Sequence, residues 1–196
     1  MLKEKLKNYT VILASGSSRR QQFFKDLELD FEIRLKPIEE VYPNHLKHVE
    51  ISDYLAQLKS KPFDGELNEN DILITSDTIV WHNNEALGKP KDKQDAFNMI
   101  RSLSGITHEV ISSVCFKTTS SLKLVNAVTK VTIKDLSDDE IWYYINNFSP
   151  MDKAGAYAIQ EWFGFIAVTS VEGSFFNVMG FPVHLVYKTL NDIVNT

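Results

Sequence analysis

The chain has 196 residues, of which 43% are hydrophobic and 24% are charged, proportions that are ordinary for a folded globular protein. The formal net charge of -5 argues against an extended basic face, so we expect no nucleic-acid partner, although a local basic pocket is compatible with this charge. A chain of this length predicts a single domain over residues 1–196.

The cysteine content and the N-terminal segment bear on the cellular compartment. The single cysteine, Cys115, lies in an apolar run and cannot form a disulfide within the chain, which favours a buried thiol in a reducing compartment. The basic segment 1–7 is followed by an apolar run too short for a signal peptide. No window approaches the ~20 apolar residues of a membrane span. We therefore predict a cytoplasmic protein with no membrane partner.

Strands and helices alternate in the predicted order of elements. Apolar strands are predicted at 9–13, 31–35 and 71–76, with helices at 17–27 and 51–58 between them. Residues 81–92 contain two asparagines and a Gly-Lys-Pro turn and are predicted to be irregular. The later predicted elements are a helix at 92–103, a hairpin at 109–133, a helix at 137–148 that begins with a capping box at residues 137–140, a strand at 163–171 and a helix at 182–194. This order predicts a mixed α/β sheet with an antiparallel part.

The loop between the first strand and the first helix has the composition of an anion site. Ser15 and Gly16 lead to Ser17, the predicted N-cap of a helix whose N-terminus directs backbone N–H groups and a positive dipole end outward. Arg19 and Arg20 add planar guanidinium groups that match phosphate oxygens. The same pattern also occurs in ordinary helix caps with solvated arginines, so the residues alone leave both interpretations open.

Three further clusters combine small residues with charges: 77–78, 88–90 and 151–160. Lysines in turns, such as Lys89, can bind phosphate as point charges, although solvated loop lysines are more common. Asp77 ends a predicted strand and could bind a divalent cation together with Glu39 or Glu40 and substrate phosphates. It could equally cap a helix or pair with a buried cation.

Taken together, these motifs resemble the Maf family of nucleoside triphosphate pyrophosphatases. They follow the family's order from residue 11 to about residue 190, and several motifs in order are more specific than any one of them. The matching segments are 13–20, 76–80, 87–92, 103–105, 152–157 with 159–160, and 173–182.

The resemblance implies a fold and a reaction. The fold is α/β, with a mixed, partly antiparallel twisted sheet flanked by helices, bilobed with a central cleft, as in inosine triphosphate pyrophosphatases. The reaction is hydrolysis of a nucleoside triphosphate to the monophosphate and pyrophosphate by attack of water at the α-phosphate, with a divalent cation, Mg²⁺ or Mn²⁺. The family often forms dimers, which is the only basis for expecting a homodimer.

The resemblance also assigns roles to individual residues. Asp77 matches the family's catalytic acidic residue, as general base or metal ligand, and Glu40 matches its acidic partner, so both are candidate metal ligands. Ser15 lies in the phosphate loop. The basic positions that match phosphate-contacting residues are Arg20, Lys59, Lys153 and Lys89, the last of which we group with the catalytic residues.

Base selection is assigned to a separate trio. Arg19, Thr78 and Gln160 match the residues associated with selection of the base in the subfamily that acts on dTTP and UTP. We therefore predict a house-cleaning dTTP/UTP pyrophosphatase and leave modified pyrimidine nucleotides open as further substrates. The alternatives are a purine-directed house-cleaning pyrophosphatase and a nucleotide-binding regulatory module linked to cell division.

Two departures from the family pattern concern the backbone. Ser18 stands where the family usually has proline, and Ala158 stands where it usually has glycine. If position 158 required a positive φ, alanine there would be strained.

Overall fold

A computed structural model describes residues 1–195 of the chain. These residues form eight α-helices: α1 (Leu2–Lys5), α2 (Ser18–Asp26), α3 (Val49–Leu58), α4 (Lys93–Leu103), α5 (Asp138–Phe148), α6 (Trp162–Ala167), α7 (Phe175–Val178) and α8 (Val183–Ile193). Short 3₁₀ helices occur at Leu6–Asn8, Lys61–Phe63, Pro150–Asp152 and Ala154–Ala156. The strands of the same residues are β1 (Thr10–Leu13), β2 (Glu32–Ile33), β3 (Asp71–His82), β4 (Glu85–Leu87), β5 (Thr107–Lys117), β6 (Leu122–Ile133) and β7 (Val168–Glu172).

The strands form one mixed sheet. Its order is β2-β1-β3-β5-β6-β7, with β4 paired to β3. β1 is parallel to both β2 and β3, whereas β4 pairs antiparallel with β3 and β7 with β6. The predicted α/β class with a partly antiparallel sheet is confirmed, as is the hairpin formed by β5 and β6.

The described chain divides into two compact units. The first comprises residues 1–77, 112–126 and the segment from Gly180 onward, and the second comprises residues 78–111 and 127–179. The single domain over residues 1–196 stays a prediction, and its last residue, Thr196, lies outside the described residues.

In the first unit, a buried strand and an aromatic helix face fix the loop between them. Val11, Ile12 and Leu13 of β1 are buried. Phe24 of α2 is also buried, and its ring centroid lies 5.8 Å from that of Phe181. Because both flanking elements are anchored in the core, the loop at residues 14–17 has little freedom to move away from the end of β1.

In the second unit, α4 and α5 bury regularly spaced apolar residues. Ala96, Ile100 and Leu103 of α4 are buried at helical spacing. α5 begins at the predicted capping box, in which Ser137 and Glu140 bond each other's backbone N–H groups. It contributes Tyr144 to the same core cluster. The packed helices thus hold the segment after α5 against the core.

The prediction for residues 71–92 was partly wrong. β3 does not end before Asp77 but continues to His82 and turns back into β4. The turn consists of Asn83 and Asn84, whose φ values of 50° and 62° are left-handed. Asparagine tolerates this conformation, and a two-residue turn with two positive φ values suits the twist of a hairpin.

The strand predicted at 163–171 was wrong in its first half. Residues 162–167 form α6, and the strand β7 begins only at Val168. Phe163 and Ala167, four residues apart, are buried, whereas Phe165 is 80% exposed. This burial follows the period of a helix and not that of a strand.

Two other expectations concern Cys115 and membrane-spanning helices. Cys115 is buried in β5, as predicted. None of the helices formed by residues 1–195 has the length and apolar character needed to cross a bilayer.

His108 of β5 is a buried histidine in the second unit. Its Nε2 atom lies 2.7 Å from the hydroxyl oxygen of Tyr157, and its side chain is almost fully enclosed. Burial, and secondarily the charge of His82, lowers the pKa of His108 to about 4. Between about pH 6.5 and pH 4 the unfolded chain therefore binds a proton at this residue that the folded chain does not.

We predict that this difference lowers the stability of the protein as the pH falls through that range. The free energy of unfolding should lose up to about 1.4 kcal/mol per pH unit at His108. Urea unfolding of the wild type and of His108→Gln at pH 7, 5.5 and 4.5 measures this term, which the variant should lack. His45→Gln, at an exposed site, should keep the wild-type slope. An unchanged slope in His108→Gln would contradict the prediction.

Candidate active site

The loop after β1 holds Arg20 in a fixed orientation. Ser17 is the N-cap of α2 and accepts a hydrogen bond from the Arg20 backbone N–H. The Arg20 guanidinium donates from Nε to the carbonyl oxygen of Gly180 at 3.0 Å. Its Nη1 donates to the carbonyl oxygen of Ser76 at 2.9 Å and to Oγ of Ser15 at 3.4 Å. Three oxygen atoms from three parts of the first unit therefore determine where this charge lies.

Arg20 is also electrostatically constrained. Burial lowers the pKa of Arg20 to about 10, while the charge of Asp77 opposes this effect and that of Arg19 adds to it. The guanidinium stays charged at neutral pH. It thus presents a permanent cation at the start of α2, where the helix dipole also favours an anion. Ser18 occupies the first position of α2, directly after the Ser17 cap, so serine there is compatible with the start of the helix.

Lys59, immediately after α3, bridges two carboxylates. Its Nζ lies 2.7 Å from Oδ1 of Asp77 and 3.1 Å from Oε2 of Glu40. The Asp77 side chain is almost completely buried, Lys59 is largely buried and Glu40 is about half exposed. The structure thus brings together three of the residues predicted for the site, all within the first unit.

Asp77 lies within β3, where both neighbours along the strand are at least partly enclosed. Burial raises the pKa of Asp77, and the charges of Lys59 and Arg20 oppose this effect. Of the roles that the sequence left open for Asp77, the structure shows the buried ion pair. The adjacent Ser76 hydroxyl is buried and has no hydrogen-bond partner among residues 1–195.

The chemistry of Asp77 and Glu40 fits a divalent cation held jointly with a substrate. Both carboxylates reach the same ammonium group, so both can face one small cation. Mg²⁺ commonly takes one or two carboxylates together with substrate phosphate oxygens. In the described part of the chain, no group of three or more His, Cys, Asp or Glu side chains could hold a metal ion by itself.

The remaining predicted residues lie in the second unit. Lys89 is exposed and directly follows Gly88, whose carbonyl oxygen accepts a hydrogen bond from the N–H of Gly155 at 3.0 Å. Gly155 has a φ of 67°, and a Cβ atom there would lie 2.8 Å from Cγ2 of Val80. Glycine at position 155 is therefore required, and it joins the turn before Lys89 to the segment that begins at Lys153.

Lys153 is buried, and its ammonium group has two carboxylate partners. Its Nζ lies 2.7 Å from Oδ1 of Asp152 and 3.4 Å from Oε1 of Glu161. Asp152 is largely exposed, whereas Glu161 is about one quarter exposed. Lysine is rarely buried unless its charge is paired, and a buried lysine adds nothing to solubility. The fold therefore maintains this charge for another purpose.

Gln160 and Thr78 are both partly buried. The Oε1 atom of Gln160 is buried and has no hydrogen-bond partner within residues 1–195. Buried amide oxygens are normally paired, so this atom is suited to accept a hydrogen bond from a ligand. Ala158 is not among the positive-φ residues of the described chain, although Gly155 and Ala156 of the same segment are. Alanine at position 158 is therefore not strained.

Sequence reasoning missed two residues that contact this segment. Tyr144 of α5 and Glu161 form a hydrogen bond to each other, and Glu161 also pairs with Lys153. The position of Glu161 directly after Gln160 was an available signal. Nothing in the spacing of α5 identified Tyr144 among its aromatic neighbours, because its role depends on tertiary packing.

The fold is similar to that of a solved structure. The chain superposes on the Ham1 protein of Staphylococcus aureus with a TM-score of 0.56 at 16% sequence identity, covering 94% of this chain and 99% of that one. At this identity the similarity concerns the fold alone. It supports the α/β class with a mixed sheet that the sequence predicted.

Sequence comparison identifies the family. The model of the Maf-like protein family matches residues 10–193. A protein of Flavobacterium johnsoniae named dTTP/UTP pyrophosphatase is 68% identical over 99% of this chain and 100% of its own length. Proteins of the same name from Flavobacterium psychrophilum and Christiangramia forsetii are 57% and 55% identical, over 97% and 100% of each chain. The chain belongs to the Maf-like protein family, as its motifs predicted.

We predict that Lys59→Met destabilises the protein by about 3 kcal/mol, because it leaves the buried Asp77 carboxylate without its closest cation. The double variant Lys59→Met/Asp77→Asn should recover most of this loss. Urea unfolding at neutral pH measures both values. Lys7→Met is a control that removes an exposed ion pair with Glu4 and should cost less than about 0.5 kcal/mol. Equal stability of Lys59→Met and the wild type would show that the buried pair contributes nothing.

Proposed function

We propose that this protein is a nucleoside triphosphate pyrophosphatase that hydrolyses dTTP and UTP to the monophosphate and pyrophosphate. The observation that carries the proposal is the buried Asp77 bridged through Lys59 to Glu40, in the same unit as the fixed Arg20 cation. The relatives named dTTP/UTP pyrophosphatase, which are 55–68% identical over nearly the whole chain, support the substrate class.

The cations of the first unit bind the phosphates in this proposal. The orientation of the Arg20 guanidinium is already fixed by backbone carbonyls, so little order is lost when a phosphate binds. Lys59 and the Ser15 hydroxyl supply additional donors. In-line attack of water at the α-phosphorus builds negative charge on the equatorial oxygens and on the leaving pyrophosphate, and positioned cations stabilise that charge.

Asp77 and Glu40 are the acidic residues of the reaction. We assign Asp77 one of two roles: it accepts the proton of the attacking water, or it binds the divalent cation. Both roles require its carboxylate. Asp77 and Glu40 would hold Mg²⁺ or Mn²⁺, which supplies further stabilisation of charge on the phosphate oxygens. Lys59 keeps the two carboxylates near each other.

The second unit supplies the other proposed substrate contacts. Lys89 and Lys153 bind phosphate oxygens, and we also include Lys89 among the catalytic residues. Arg19, Thr78 and Gln160 select the base. An amide offers both a donor and an acceptor, which matches the imide edge of uracil or thymine. The unpartnered Oε1 atom of Gln160 is suited to accept the N3–H of such a base.

The two alternatives predict different activities. A purine-directed pyrophosphatase would favour GTP or a modified purine nucleotide, and the trio Arg19, Thr78 and Gln160 argues against it. A regulatory module linked to cell division would bind nucleotides without turnover. The cytoplasmic location, the single domain and the homodimer also stay predictions, of which the first is consistent with the single buried thiol of Cys115.

We predict that the wild type releases pyrophosphate from dTTP and UTP faster than from ATP or GTP in the presence of Mg²⁺ or Mn²⁺. Asp77→Asn should lower kcat by about 100-fold or more, because it removes the charge that acts on the water or the cation. Asp30→Asn, at an exposed site, is the control and should keep full activity. No turnover of any triphosphate, or full activity of Asp77→Asn, would contradict the proposal.

Base selection is tested separately with Gln160→Ala. Losing its hydrogen bonds should lower kcat/KM for UTP by about 10- to 100-fold and affect GTP less, so the ratio of the two values should fall. Gln94→Ala, in an exposed position of α4, controls for loss of an amide elsewhere. An unchanged UTP/GTP ratio in Gln160→Ala would show that this residue does not select the base.

A further inference from the structure

Tyr144 of α5 places its hydroxyl group against the segment that connects Lys153 to Gln160. The hydroxyl donates to Oε2 of Glu161 at 2.9 Å and accepts from the N–H of Ala158 at 3.0 Å. Burial, and secondarily the charge of Glu161, raises the pKa of Tyr144, so the hydroxyl remains a donor at neutral pH. The Tyr144 hydroxyl thus fixes both the Glu161 carboxylate and the backbone of Ala158, two residues before Gln160.

The ring of Tyr144 is itself held in place. It is fully buried, and its centroid lies 5.1 Å from that of Phe163 and 5.4 Å from that of Phe148. Close packing on both sides leaves the ring little rotational freedom. The hydroxyl is therefore a fixed reference point for the residues that bond to it.

Glu161 connects the Tyr144 hydroxyl to the ammonium group of Lys153. While Oε2 is bonded to Tyr144, Oε1 lies 3.4 Å from Nζ of Lys153. Asp152 is the other and closer partner, with its Oδ1 2.7 Å from Nζ, but its side chain is 65% exposed, compared with 27% for Glu161. An exposed carboxylate holds an ammonium group weakly. Glu161, which Tyr144 holds by a hydrogen bond, is therefore the partner of Lys153 whose own position is fixed.

We infer that Tyr144 and Glu161 are positioning residues that hold the ammonium group of Lys153 in the orientation that binds the triphosphate. This inference rests on the proposed function of Lys153 as a phosphate ligand. A lysine side chain has four rotatable bonds, and fixing them before the substrate arrives reduces the entropy lost on binding. Neither Tyr144 nor Glu161 needs to touch the substrate for this effect.

A simple charge effect predicts the opposite result. Glu161 is negative, so removing its charge would strengthen the attraction of this region for an anionic triphosphate. Positioning predicts that the same change weakens binding, because Lys153 loses its fixed partner. Glu161→Gln separates the two explanations, since glutamine has the same length and its amide oxygen can still accept the hydrogen bond of Tyr144.

The experiment is steady-state release of pyrophosphate from UTP with Mg²⁺ by the wild type, Tyr144→Phe and Glu161→Gln. We expect each variant to raise KM about tenfold and to change kcat less than about threefold, as for the loss of binding shared by the ground state and the transition state. Tyr143→Phe is the matched control. Its side chain is the adjacent tyrosine of the same helix, is half exposed, and should keep the wild-type KM.

A thermodynamic cycle with Lys153→Met tests whether the effect passes through the lysine. In that background, Tyr144→Phe and Glu161→Gln should cause no further rise in KM, because the group that they position is gone. A general loosening of the fold would still raise KM there. Thermal unfolding of every variant is measured in parallel, and Glu161→Gln decides the outcome if Tyr144→Phe does not fold.

The outcomes distinguish this inference from the proposed function. A wild type that releases no pyrophosphate from any triphosphate overturns both. An active wild type overturns the inference alone if Glu161→Gln lowers KM or leaves it unchanged, or if either variant raises KM equally in the Lys153→Met background. A tenfold rise in KM that disappears in the Lys153→Met background supports the inference.

Discussion

The buried charge of Asp77 is the constraint on which the first unit depends. A carboxylate within an enclosed strand is costly unless a cation and hydrogen-bond donors compensate it. Lys59 supplies that cation from the end of α3 and also reaches Glu40. Arg20 adds a second positive charge, held by the carbonyl oxygens of Ser76 and Gly180. The ends of α2 and α3 and the segment at Gly180 are therefore tied to β3 by electrostatics as well as by packing.

The second unit uses the same principle around Lys153. There too a buried ammonium group lies between two carboxylates of unequal exposure. In both units the more buried carboxylate compensates the charge of the lysine, whereas an exposed carboxylate contributes little to such a pair. Such pairing lets a protein retain cations for an anionic substrate without leaving them unpaired in its interior. The left-handed backbone at Gly155 and Ala156, where φ is 67° and 59°, shapes the segment that carries Lys153, and it is strained at the alanine.

Local signals were sufficient for part of this structure. The Ser17 cap and the capping box of α5 involve residues close in sequence, and the structure has both as predicted. The continuation of β3 past Asp77 was missed because an acidic residue after an apolar run is typical of the end of a strand. Its burial inside the strand depends on the charge of Lys59, which lies 18 residues earlier in the chain. α6 was missed because a short apolar run has no clear period, and the hydroxyl contacts of Tyr144 were missed because they depend on tertiary packing. The roles of individual site residues came from the family resemblance and not from spacing.

Hydrolysis of UTP in water enriched in ¹⁸O tests the central claim most directly, because it reports which phosphorus the water attacks. Mass spectrometry of the products should show one ¹⁸O atom in the phosphate group of UMP and none in pyrophosphate, as expected for cleavage between the α- and β-phosphates by attack at the α-phosphorus. Label in pyrophosphate, or formation of UDP with labelled inorganic phosphate, would contradict the account.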